Sequence, residues 1–171
     1  MSEVFHLEHR ISIAILSVSD TRDQRTDESG KLIRKLAQEK DLEIAAYEIV
    51  KDDAAEIRKT VSQMLEHEGV DAVITTGGTG IAKRDVTLEA VTPLFDKELP
   101  GFGELFRFLS YTEDIGSKAL LSRAAAGTSA HKALFVLPGS RGAVRLAMEK
   151  LILPEIRHII FELTKHRQVR E

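Results

Sequence analysis

The chain has 171 residues, 43% of them hydrophobic, a formal net charge of -3 and no cysteine. That length suits one domain over residues 1–171, with a core that needs no covalent staples. The charge gives no overall pull toward nucleic acid or an acidic membrane, and the lack of cysteine excludes disulfides and thiolate metal sites. Aromatics make up 5% and tryptophan is absent, too little for a base-stacking platform. No apolar run approaches the roughly 18 residues of a membrane span. Residues 1–10 lack the apolar stretch of a signal peptide. A cytoplasmic protein without nucleic-acid or membrane partners is expected.

Residues 11–18 (ISIAILSV) are apolar at nearly every position, as in a strand of a parallel sheet covered on both faces. A polar stretch follows, long for a strand-to-helix connection and open to reading as a binding loop or a plain surface loop. Asp27-Glu28-Ser29-Gly30 should cap the helix that follows. Leu32, Ile33, Leu36 and Ala37 mark a helix over 31–40, and residues 43–50 read as a second strand. Ile57, Val61, Met64 and Leu65 give a helix over 54–67, before a third strand over 70–75. A helix is expected over 87–95, then a break at Pro100-Gly101. Phe102, Leu105, Phe106 and Leu109 space like another helix, equally suited to a core or to an interface. Residues 123–128 and 133–137 read as further strands, the first with weak propensity. Pro138-Gly139-Ser140 is a turn, and Ser140 caps a helix carrying Val144, Met148 and Leu151. A last helix is expected to start after Pro154. Alternation of this kind predicts an α/β fold, a three-layer α/β/α sandwich around a mostly parallel sheet.

In such sheets ligands bind beyond the carboxyl ends of the strands. Three polar loops leave strands there: Ser19-Asp20-Thr21, the segment from Thr76 to Asp85, and Pro138-Gly139-Ser140. The middle loop, Thr76-Gly77-Gly78-Thr79-Gly80, matches neither the P-loop nor the dinucleotide fingerprint. Its glycines let backbone approach a phosphate, though a tight turn uses the same residues. Arg84 offers a phosphate partner. Asp85 would repel a phosphate unless a cation stands between them. Asp52-Asp53 follows the second strand and reads either as a helix cap or as a second carboxylate at the same edge. The six histidines are scattered, and none falls into a metal-binding pattern.

Six segments in fixed order carry a resemblance. They are Ser17-Val18-Ser19-Asp20-Thr21, Thr75-Thr76-Gly77-Gly78-Thr79-Gly80, Arg84-Asp85-Val86-Thr87, Pro100-Gly101-Phe102-Gly103-Glu104, Leu121-Ser122-Arg123 and Leu137-Pro138-Gly139-Ser140. With them the chain resembles the MoaB/MogA molybdenum cofactor biosynthesis family, most nearly its B-type members. Leu88 departs from the proline frequent there. The resemblance implies a molybdopterin adenylyltransferase with Mg²⁺ as cofactor and ATP and molybdopterin as substrates. It implies that Asp52 and Asp85 are catalytic and hold the metal, with the glycine-threonine loop at the ligand site. Backbone N–H groups from Gly77 to Gly80 would hold phosphate oxygens, and Ser19, Thr21 and Ser140 are candidates for further hydrogen bonds. It also implies a homo-oligomer, a hexamer favoured over a trimer, and contact with other proteins of molybdenum cofactor biosynthesis. The alternative is a non-catalytic molybdopterin-binding or carrier paralogue. An unrelated nucleotide-binding oxidoreductase is disfavoured by the missing fingerprint.

Overall fold

The computed structural model describes residues 5–168. The one-domain expectation over residues 1–171 therefore runs past the described residues at both ends. Six strands form one sheet in the order β2-β1-β3-β6-β5-β4. The first four in that order, β2 (Glu43–Val50), β1 (Ser12–Val18), β3 (Ala72–Thr76) and β6 (Lys132–Leu137), are parallel. Every residue of β1 is buried, which is why its sequence carries no polar alternation. β5 (Ala125–Ser129) and β4 (Lys97–Glu98) add an antiparallel edge. A two-residue turn at Ala130 and His131, both at positive φ, joins β5 to β6, the arrangement whose twist matches a hairpin.

Helices cover both faces. One apolar layer packs α1 (Glu28–Glu39), α4 (Pro100–Glu113), α5 (Arg141–Ala147) and α6 (Leu153–Gln168) on the sheet through Ile33, Phe106, Val144 and Ile160. The other packs α2 (Ala54–Glu66) and α3 (Thr87–Val91) through Ile57, Val61 and Val91. The chain thus has the expected three-layer α/β/α arrangement.

Several boundaries differ from expectation. α1 starts at Glu28, so the polar stretch before it is shorter than the periodicity alone gives. α3 ends at Val91 and passes into a 3₁₀ turn, Thr92–Leu94, because Pro93 cannot donate to the α-helical ladder. Pro100 does not break the chain. It occupies the first turn of α4, where its missing N–H costs nothing. Nor does Pro154 separate two helices. A π-turn over Met148–Ile152, in which the Leu153 N–H reaches the Met148 carbonyl, carries α5 into α6. The wider turn makes room for the proline ring. The short β4 and the 3₁₀ segment Gly116–Leu121 have no periodic signal that sequence could reveal.

The registers place the site. Ser17 pairs with Thr76, Thr76 with Leu137, and Val18 with Val50. The four parallel strands therefore end level. Below that edge a buried carboxylate ties three elements together. Asp27, 1% exposed, caps α1 by accepting the Gly30 N–H at 3.1 Å. It also accepts the hydroxyls of Ser17, at 2.5 Å, and of Tyr47 on β2. Burial, and then the bond to Asp27, holds the Tyr47 phenol above its usual pKa. Asp27→Ala removes the cap and strands two hydroxyls. It should cost about 2–4 kcal/mol, read as a lower urea midpoint, whereas a midpoint shift equivalent to under about 1 kcal/mol would deny the tie its structural weight.

Candidate functional site

The strap from Gly77 to Thr87 leaves β3 and turns at once. Gly77 (φ 97°) and Gly78 (φ 67°) both lie in the left-handed region. A Cβ on Gly77 would overlap the Val18 carbonyl, and one on Gly78 would overlap Thr87 Oγ1, so side chains are excluded on two grounds. Thr87 pins the far end. Its hydroxyl donates to the Gly77 carbonyl at 2.8 Å, and its N–H to the Gly78 carbonyl at 3.0 Å. The Gly77 N–H is spent on Leu137 at 3.0 Å, which removes it from the expected set of phosphate-binding amides. Those of Gly78, Thr79 and Gly80 meet no acceptor among the described residues.

The other loops reach the same place. Ser19 Oγ accepts the N–H groups of Thr21 and Arg22, at 3.2 and 3.1 Å, so it shapes its own turn. Asp20 accepts the Asp52 N–H at 3.0 Å and stands 3.9 Å from Arg84. Asp53, not Asp52, caps α2, by accepting the Glu56 N–H at 2.9 Å. Asp52 is thereby left facing the strap, its Oδ1 3.0 Å from where a Gly78 Cβ would stand. Thr76 donates to the Pro138 carbonyl at 2.9 Å, and Ser140 Oγ caps α5 at Ala143. Ser29 and Arg22 both donate to the Gly139 carbonyl, at 2.6 and 3.5 Å.

Two clefts result. The first, about 360 Å³, is polar and gathers Ser19, Asp20, Thr21, Asp52, Thr76 and Arg84. The second, about 390 Å³, takes in Thr79, Gly80 and Pro138 and runs on to Phe106, Ile115, Lys118 and Leu121. Gly77, Gly78, Asp85, Gly139 and Ser140 line both. All the candidate residues named from sequence thus stand on one connected surface.

Residues 14–158 match the family model of a probable molybdopterin binding domain. Molybdenum cofactor biosynthesis protein B of Staphylococcus aureus (strain COL) is 58% identical over 161 residues, 93% of this chain and 95% of that protein. A crystal structure of a molybdenum cofactor biosynthesis protein B superposes with a TM-score of 0.90 at 55% identity, covering 95% of this chain and 100% of that one. The Pyrococcus furiosus tungsten cofactor synthesizing protein MoaB superposes at 0.78 with 38% identity, covering 95% and 98%. The chain belongs to the MoaB/MogA molybdenum cofactor biosynthesis family.

This family member carries an uneven charge at the site. Asp20, Asp27, Asp52 and Asp85 line the polar cleft against Arg22 and Arg84. Burial, and then the neighbouring Asp20 charge, raises the Asp52 pKa, with Asp85 adding to the rise and Arg84 opposing it. Asp85 Oδ2 accepts the Ala82 N–H at 3.0 Å. Oxygen donors that repel one another suit a hard divalent cation. No group of three or more such side chains among the described residues could hold a metal. An ion here would take the rest of its shell from water and ligand phosphates, the usual habit of Mg²⁺. Asp52 and Asp85 are oxygen donors of the kind Mg²⁺ takes, and they would fill only part of its shell.

Sequence reasoning named Asp27 as a helix cap, which it is, but not as a wall of the cleft, and it missed Arg22 and the wall built from α4 and the segment after it. It also left Arg123 without a role, although Leu121-Ser122-Arg123 was among the matched segments. Arg123 donates to the carbonyls of Thr79 and Gly80, both at 3.1 Å, and pairs with Glu89 at 2.5 Å. That hydrogen bond holds the Glu89 carboxyl below its ordinary pKa. Among the described residues no helix is long and apolar enough to cross a membrane.

The raised pKa of Asp52 has a consequence for stability. Between the ordinary value and the raised one, folded protein retains a proton there that the unfolded chain has released. The stabilisation is complete below 3.8, the ordinary value, and is lost as pH rises through the folded-state value. Asp52→Asn should therefore melt at a higher temperature than the parent at pH 7, with the gap closing toward pH 4. Calorimetry showing an equal or lower melting temperature at pH 7 would contradict the charge assignment.

Proposed function

We propose that the chain is an Mg²⁺-dependent molybdopterin adenylyltransferase. A terminal phosphate oxygen of molybdopterin forms a bond to the α-phosphorus of ATP, the bond to the β-phosphate oxygen breaks, and pyrophosphate leaves. The observation that carries this reading is the pair of clefts meeting at Asp85, one lined by charged and hydroxyl side chains and one mostly apolar. Two reactants, one in each cleft, would meet at this carboxylate.

The residues divide the work. Asp52 and Asp85 would hold Mg²⁺, which when bound offsets the charge of the two polyanions. The free amides of Gly78, Thr79 and Gly80 cradle phosphate oxygens. Arg84, with Arg22, adds positive charge at the mouth. Thr21, and the hydroxyl protons of Ser19 and Ser140, are available as donors, while Asp20 orients Asp52 through its N–H. Thr76, Pro138 and Gly139 form the floor. A phosphate monoester loses its second proton near pH 6, so the nucleophile is ionised without a general base. Catalysis rests on positioning and charge.

The partner is proposed to be a second copy of the chain, in a hexamer. α4 supports this with two faces. Phe102, Phe106 and Leu109 pack on the core, whereas Leu105, Phe108 and Tyr111 are 53%, 62% and 61% exposed. An apolar row of that size on a helix is costly in water unless covered. Other molybdenum cofactor biosynthesis proteins and a cytoplasmic setting follow from the same reading.

Incubation with molybdopterin, ATP and Mg²⁺ should release pyrophosphate. Asp85→Ala should lower turnover about 100-fold or more with the fold retained. Molybdopterin binding without any pyrophosphate release would instead favour the carrier reading. The double variant Leu105→Asp, Phe108→Asp should lower the mass seen by light scattering to that of smaller species. An unchanged mass would remove α4 from the interface.

A further inference from the structure

Arg123 lies between the 3₁₀ segment Gly116–Leu121 and β5, and it lines neither cleft. Its guanidinium nevertheless makes the widest set of contacts with the strap. Nε donates to the carbonyls of Thr79 and Gly80, both at 3.1 Å. Nη2 donates to the Asp85 carbonyl at 3.3 Å. Nη1 and Nη2 meet the two Glu89 oxygens at 2.5 and 3.4 Å. One planar fork thus binds three strap carbonyls and a carboxylate on α3.

We infer that Arg123, oriented by Glu89, is a positioning residue that fixes the strap so that its amides and the Asp85 carboxylate serve the clefts. In a trans peptide the N–H lies opposite its carbonyl, and no peptide bond among the described residues is cis. Holding the Thr79 carbonyl from behind therefore directs the Gly80 N–H the other way. Asp85 is held at three points, its carbonyl by Arg123, its carboxylate by the Ala82 N–H, and its own N–H by the Ala82 carbonyl at 3.0 Å. Thr87 pins the strap to its own start, but neither of its bonds reaches the stretch from Thr79 to Asp85. Arg123 supplies what those bonds leave free.

The role is geometric more than electrostatic. Glu89 offsets the Arg123 charge, and the pair is partly exposed, with side chains 33% and 54% accessible. Its field at the clefts is accordingly small. Lysine keeps the charge but offers one ammonium in place of a planar fork, so it cannot span three carbonyls and a carboxylate.

The catalytic part of the test rests on the adenylyltransferase reading, and the structural part does not. Arg123→Lys should exchange the hydrogen-bonded strap amides of Ala82, Asp85 and Thr87 at least about tenfold faster than the parent in ligand-free protein. Peptides from β1, β3 and β6 should keep the parent rate. kcat/KM for pyrophosphate release should fall about 30- to 100-fold, the scale of a small misplacement of catalytic groups. Guanidinium ion should restore part of the activity of Arg123→Ala, and ammonium at the same concentration should not. Glu89→Gln, at a half-exposed position where folding is undisturbed, should loosen the strap to a smaller degree. Parent-like strap exchange in Arg123→Lys would overturn the inference, as would parent-like activity. If the parent releases no pyrophosphate while the strap still loosens, the adenylyltransferase reading fails and the positioning role stands.

Discussion

Ser17, Thr76 and Leu137 stand side by side across three parallel strands, and Val18 stands beside Val50. From that level edge the chain departs four times, into Ser19, Lys51, Gly77 and Pro138. A shift of one residue in any pairing would turn core side chains outward and move one loop away from the others. The shift is prevented by burial on both faces of β1, β3 and β6. The site is therefore as well fixed as the hydrophobic core beneath it. Asp27 adds a polar lock at the same level, since it bonds β1, β2 and the start of α1 at once.

That edge collects acids where anions are proposed to bind. Burial, and then the charges of Asp20 and Asp85, raise the Asp52 pKa, which reports the cost of keeping its carboxylate there. A protein that only needed stability would gain from replacing one of them. A divalent cation would turn the same repulsion into coordination. Under the proposed function the arrangement would be unfavourable alone and favourable with cation and phosphates together, which would tie metal entry to substrate entry. Arg84 and Arg22 only moderate the local charge, since two guanidiniums face four carboxylates.

Much of this was legible because strands buried on both faces leave an unmistakable apolar run, as residues 11–18 do. The end of each such run gave the loop positions directly. Asp52 against Asp53 was not decidable from spacing, since either can cap a helix. The backbone settles it by placing Asp53 at the cap and bending Asp52 toward Gly78. Pro100 reads as a break yet starts a helix, a position that proline favours, and Pro154 sits in the first turn of α6, which a π-turn joins to α5 without a gap. Arg22 and Arg123 were hidden for a different reason. Each acts on carbonyl groups, and the partner of a carbonyl leaves no mark on the sequence near it.

The glycines and the short acids have one common cause. A Cβ on Gly77 would strike the Val18 carbonyl, and one on Gly139 would come within 3.2 Å of Gly77 Cα. The ends of β1, β3 and β6 therefore pack backbone to backbone, with no side-chain layer between them. Side chains of the site can only stand at the rim of that junction. Gly80 shows the limit there, since its own Cβ would lie 2.5 Å from Asp85 Oδ2. A carboxylate one methylene longer would have to leave the Ala82 N–H that now holds it. Aspartate at this position, and glycine opposite it, are thus demanded together by one close approach.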